Sequence, residues 1–73
     1  MMSPDMFPVV SSRITEMGYD IPTATVYVRF HDGKGWQYNN VPEQVWQDFI
    51  LSESKGQFIH QILDHYGHGP ADI

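Results

Sequence analysis

The sequence predicts an α+β fold: a three-stranded antiparallel β-meander followed by two helices packed on one face. Three observations carry that expectation. Residues 23–31, TATVYVRFH, alternate with period two and are β-branched or aromatic almost throughout. An Asp32-Gly33 pair follows at once, and Asp-Gly supplies the positive φ that tight hairpins require. Beyond Pro42 the apolar residues change to helical spacing.

Each element follows from its residues. Residues 1–8, with Pro4 and Pro8, read as a flexible leader, and residues 9–73 as a single domain. Val10, Ile14, Met17 and Tyr19 are loosely spaced around Gly18, which predicts an irregular first strand over 9–20 that ends in a turn at Asp20, Ile21 and Pro22. In the second strand, over 23–31, Val26, Val28 and Phe30 share one face, and Thr25, Tyr27, Arg29 and His31 the other. The third strand is expected over 36–41. Pro42 suits the first turn of a helix, and Val45, Trp46, Phe49 and Ile50 make an amphipathic stripe to about Leu51. Ser54 and Gln57 have capping-box spacing, and Phe58, Ile59, Ile62, Leu63 and Tyr66 continue a second stripe until Gly67, Gly69 and Pro70 stop it.

Composition narrows the function. A chain of 73 residues without cysteine builds a small core and has no disulfide or thiolate metal site, so association into a homo-oligomer, dimer or tetramer, is expected to supply further burial. Four Lys and Arg face nine Asp and Glu, a net charge of -5. A protein that grips duplex DNA typically neutralises about 6 to 10 phosphates. Four cations therefore disfavour long nucleic acid as a partner. A small anion needs only one or two cations and some backbone N–H groups. With no long apolar run and no secretory leader, no membrane partner is expected and the chain reads as cytoplasmic.

The candidate ligand-binding residues are Tyr27, Arg29, Trp36, Tyr38, Ser54, Lys55 and Gly56. Ser54, Lys55 and Gly56 raise a specific question. Capping accounts for Ser54, but a cation opposes the positive end of a helix dipole, and glycine costs about 1 kcal/mol relative to alanine inside a helix. An anion seated there would explain Lys55 and Gly56 together. Trp36 with Tyr38, and Tyr27 with Arg29, are each two apart on a strand, placed as core or subunit contacts or as a stacking platform for bases. Arg29 could bind a phosphate bidentately. His31, His60, His65 and His68 lack a metal-ligand spacing, and no serine has a visible partner base. Neither metal, cofactor nor catalysis is expected.

The ordered succession of Ser11-Ser12, Gly18-Tyr19-Asp20, Val26 through Phe30 as VYVRF, a glycine turn, Tyr38, Val41-Pro42, Ser54-Lys55-Gly56 and Tyr66 resembles the KTSC domain family over about residues 9–66. That family takes its name from the C-terminal extension of some lysyl-tRNA synthetases and also occurs as small bacterial and phage proteins. The resemblance implies a small meander with two helices, a role in binding nucleic acid or nucleotides, and no established catalysis. Members often carry basic residues around the last tyrosine, where this chain has Asp64, His65, Gly67 and His68. The expectation is a non-enzymatic oligomeric module for a small nucleotide-like anion, by analogy a phage-type sponge for cyclic (di)nucleotide immune signals. The alternatives are an RNA- or DNA-binding dimer and a protein–protein adaptor without nucleotide binding.

Overall fold

The computed structural model describes residues 5–73. Its strands are β1 (Met6–Pro8), β2 (Ile14–Asp20), β3 (Thr25–Phe30), β4 (Gly35–Tyr38) and β5 (His68–Ala71), and its helices are α1 (Glu43–Leu51) and α2 (Lys55–Gln61). A 3-10 turn, Leu63–His65, follows α2. The α+β class and the two helices are those the sequence predicts. The strand count is not: one antiparallel sheet holds five strands in the order β1-β2-β3-β4-β5. The strand read over 9–20 begins only at Ile14, because Ser11 Oγ accepts from Arg13 N at 3.0 Å and Ile14 N at 3.4 Å, turning the chain between β1 and β2. Of the segment 1–8 read as a leader, residues 1–4 lie outside the described residues and Met6–Pro8 form β1. Gly69 and Pro70, read as a helix stop, belong to β5.

The core lies between one sheet face and the helices. Met17, Val26, Val28 and Tyr38 from the sheet meet Trp46, Phe49, Phe58, Ile59 and Leu63. The pairing Val28↔Trp36 and Val26↔Tyr38 puts Trp36 and Tyr38 on this helix-facing side. Phe49 and Phe58 stack at 5.1 Å, joining α1 to α2. Trp46 stacks on Tyr19 at 5.3 Å and meets Phe7 edge-on at 6.0 Å, so β1 is docked against α1. The Tyr19 hydroxyl donates to Val41 O at 2.7 Å.

Both edge strands carry a proline where it matters. Val9 N donates to Thr15 O at 3.0 Å and Asn39 N to Gly67 O at 2.7 Å, which sets the alternation of bonded and non-bonded pairs along the two outer ladders. Pro8 opposite Glu16 and Pro70 opposite Trp36 then fall at non-bonded positions, where the backbone nitrogen points outward. Proline has no N–H there, so each edge lacks one donor for a further strand.

Candidate functional site

The expected residues separate into three places. Tyr27 and Arg29 lie on the sheet face away from the helices, paired with Gln37 and Gly35. Trp36 and Tyr38 are on the other face, so the four residues do not form one platform. Arg29 is also engaged: its Nε donates to Glu16 Oε1 at 2.7 Å and its Nη1 to Gly33 O at 3.0 Å. With Lys34, Gly35, Asp72 and Ile73 it borders an open pocket of about 330 Å³ at the end of the β3–β4 hairpin. Of the two cations there, Arg29 is paired with Glu16, and Asp72 adds a negative charge to the same lining.

Tyr38 is only 1% exposed, and its ring is core rather than a stacking surface. Burial pushes its phenol well above the ordinary 10.0, and the nearby Asp64 carboxylate pushes further, while the Arg13 charge acts the other way. Both charged groups therefore lie within electrostatic reach of the Tyr38 hydroxyl.

At the start of α2, Ser54 Oγ accepts from Gln57 N at 3.2 Å, so the cap forms. The anion cradle does not need to: Lys55 turns back, and its Nζ donates to Ser52 O at 2.6 Å and Ile50 O at 3.1 Å. The ammonium satisfies carbonyls left open where α1 ends. A groove of about 260 Å³ beside Ser54 is lined by Glu53, Gln57, Phe58 and Ile62 among others, with no cation. Gly56 lies beside Arg13, whose Cβ stands 3.4 Å from where an alanine methyl would be, an ordinary contact.

Arg13 is the cation that composition could not place. It is exposed, its Cζ lies 5.8 Å over the Phe30 ring, and among the described residues it has no carboxylate partner. Phe30 adjoins Trp36 at 6.5 Å, and exposed His68 faces Trp36 at 6.2 Å and Tyr38 at 5.6 Å. Phe30 and Trp36 are half-buried. A guanidinium and a row of partly open rings thus share the helix-facing side where α1 and α2 leave it uncovered. The shared face of Phe30 with Val26 and Val28 was the signal for its ring; Arg13 and His68 reach it through a loop and through β5, which strand periodicity does not cover. Among the described residues no three His, Asp or Glu side chains form a metal-binding group, and no helix is long and apolar enough to cross a membrane.

A single antiparallel sheet with two helices on one face, a buried Tyr on β4 and a capped Ser-Lys-Gly start to α2 defines a small α+β module. The KTSC domain model matches residues 10–66, and this chain belongs to the KTSC domain family. The crystal structure of a KTSC domain protein from Yersinia pestis superposes with a TM-score of 0.89 at 30% identity, covering 96% of this chain and 100% of that one. A protein of Tsukamurella paurometabola is 38% identical over 58 residues, 80% of this chain and 87% of its own length.

Proposed function

We propose that this protein is a non-enzymatic, oligomeric binding module for a small nucleotide-like anion, held on the face made by Phe30, Trp36 and His68 with Arg13 as the phosphate contact. The observation that carries this reading is the Arg13 guanidinium over the Phe30 ring, with no carboxylate partner among the described residues, beside the half-buried Trp36 ring. Each stacked base is typically worth about 1 to 3 kcal/mol, and a guanidinium pairs with phosphate through two N–H groups. No bond is made or broken. Sequestering a cyclic (di)nucleotide signal is the finer form of the same role, needing retention alone. The reading favours a small ligand over a polymer because Lys55 caps α1 and Arg29 pairs with Glu16, which leaves Arg13 and Lys34 for phosphates.

A thermal-shift panel of mononucleotides, cyclic dinucleotides and short oligonucleotides tests it. At least one nucleotide should raise Tm, and Arg13→Gln should remove that rise while the unliganded Tm moves by no more than about 8 °C, since a cation–π contact is worth about 0.5 to 1 kcal/mol. A flat panel overturns the reading. A rise for oligonucleotides alone, steeply weakened by salt, replaces it with nucleic-acid binding.

A further inference from the structure

The row of contacts that starts at Arg13 ends on His68. Arg13 Cζ lies 5.8 Å over the Phe30 ring, Phe30 meets Trp36 at 6.5 Å, and Trp36 meets the His68 ring at 6.2 Å. Strand β5 brings His68 there by pairing it with Tyr38, whose ring it meets at 5.6 Å. One bond sets the state of the imidazole: Nδ1 stands 2.7 Å from Tyr66 O, and a carbonyl only accepts, so Nδ1 carries a hydrogen. Nε2, on the other side of the ring, has no hydrogen-bond partner among the described residues. His68 is exposed, and no carboxylate of the described residues pairs with it. The groups around it are few. Strand β4 contributes the Trp36 and Tyr38 rings, and the raised Tyr38 phenol stays neutral at ordinary pH. The turn before β5 carries His65 and Asp64, whose carboxylate lies 3.9 Å from His60 Nδ1 and outside ion-pair distance of His68.

We infer that His68 is a second phosphate contact of this face, taking up a proton as the nucleotide binds so that its Nε2–H donates to a phosphate oxygen. This inference rests on the nucleotide-binding reading above. With its hydrogen on Nδ1, the neutral ring offers only a lone pair at Nε2, and phosphate oxygens likewise offer lone pairs, so two acceptors would face each other. A single proton from solvent, placed on Nε2, turns that repulsion into a charge-assisted hydrogen bond and leaves the bond from Nδ1 to Tyr66 O in place. Imidazole is the side chain whose charge changes between about pH 5 and 8, so the proton is available near neutrality. The chain has need of it. Its net charge is -5, Lys55 is held by helix carbonyls, Arg29 by Glu16, and Lys34 borders the pocket at the hairpin end. A nucleotide stacked on Phe30 or Trp36 is one ring from Arg13 or from His68, and the imidazolium adds a positive group on the ligand's own face without a further permanent cation. Because the bound state favours the protonated ring, affinity must rise as pH falls. Had Nε2 instead accepted a hydrogen bond from a base N–H, protonation would remove the acceptor and the dependence would have the opposite sign.

Isothermal titration of the full chain at about pH 5.5 and about pH 8 tests this, with cyclic di-GMP, cyclic AMP and AMP as probes. The two cyclic compounds are phosphodiesters without the monoester ionisation near pH 6, and for AMP the parent is compared with the variant at each pH. The expected result is binding about 10-fold tighter at the lower pH, the lower end for a hydrogen bond between charged groups. In His68→Gln the difference should shrink to no more than about twofold, with affinity at the higher pH within about threefold of the parent. His31, His60 and His65 belong to the same titrating class, and replacing each by glutamine should leave the dependence in place. Titration at about pH 6.5 in two buffers of different ionisation heat should show net proton uptake by the parent and little or none by His68→Gln. Affinity that is indifferent to pH, or that weakens on acidification, overturns the inference while leaving nucleotide binding in place, and so does a dependence that survives in His68→Gln. Binding of none of the three probes at either pH removes the nucleotide reading and this inference with it. His68 is exposed, so the substitution should leave the fold intact. If it does not, the sign of the parent's pH dependence and its survival in the other three histidine variants decide.

Discussion

Lys55 and Ser52 are joined across the turn between the helices, the ammonium of one donating to the carbonyl of the other at 2.6 Å. A cation at the first position of a helix opposes the helix dipole, yet here its charge is spent on the preceding helix, whose C-terminal end attracts it. The residue therefore has a structural occupation, and two consequences can be measured.

Lys55→Ala should lower stability by about 0.5 to 1.5 kcal/mol, the net worth of such a hydrogen bond, or roughly 3 to 10 °C in Tm. It should leave nucleotide affinity unchanged within about twofold. An unaltered Tm together with a lost ligand response would return Lys55 to the binding site.

Gly56→Ala is expected to stabilise. The added methyl meets Arg13 Cβ at 3.4 Å, an ordinary contact, and alanine is better in a helix by up to about 1 kcal/mol. Thermal melts should show a rise of a few degrees. A fall would mean that Arg13 cannot give way.

Alkaline denaturation should report on Tyr38. Its folded pKa is raised, by burial first and then by Asp64, so its contribution is complete below the unfolded value of 10.0 and is lost as pH climbs from there towards the folded value. Tyr19, raised by burial and then by Glu43, acts in the same direction. Urea midpoints measured from about pH 9 to 11.5 should fall with a slope of up to about 1.4 kcal/mol per pH unit for each such group, and Tyr38→Phe should flatten the curve. A slope indifferent to that substitution would contradict the assignment.

The edge prolines make a prediction about association. Replacing Pro8 and Pro70 with threonine restores an outward N–H on each edge strand, and sedimentation velocity at high concentration should then show self-association stronger than that of the parent chain. If the double variant sediments as the parent does, the edges are guarded by something else.

The parts of this fold that were legible in the sequence are those with a repeated local signal. The alternation of Val26, Val28 and Phe30 and the helical spacing of Val45, Trp46 and Phe49 each repeat a side-chain preference, so β3 and α1 could be read directly. β1 and β5 could not, being three and four residues long with Pro8 and Pro70 inside them, and proline normally argues against a strand. The site was harder. Trp36 and Tyr38 could be grouped as a pair, but whether they joined Tyr27 or Val28 depended on hairpin register, fixed by Phe30 N donating to Lys34 O at 2.9 Å. Lys55 looked unexplained because its partner carbonyls belong to the preceding helix and the turn after it. Arg13 looked ordinary because its neighbours, Phe30 and Gly56, are distant in the chain.

The return of β5 to the side of β4 has a further bearing on how the molecule assembles. The chain departs from the sheet after Tyr38 and rejoins it at His68, directly opposite, so the whole helical layer is an excursion whose two ends are tied together. The four earlier strands can pair through short local links, whereas this last pairing must wait for a long segment to close on itself. Final docking of the C-terminal strand should thus be the late, slow event in folding, and the earliest part to let go when the protein is pulled from that end.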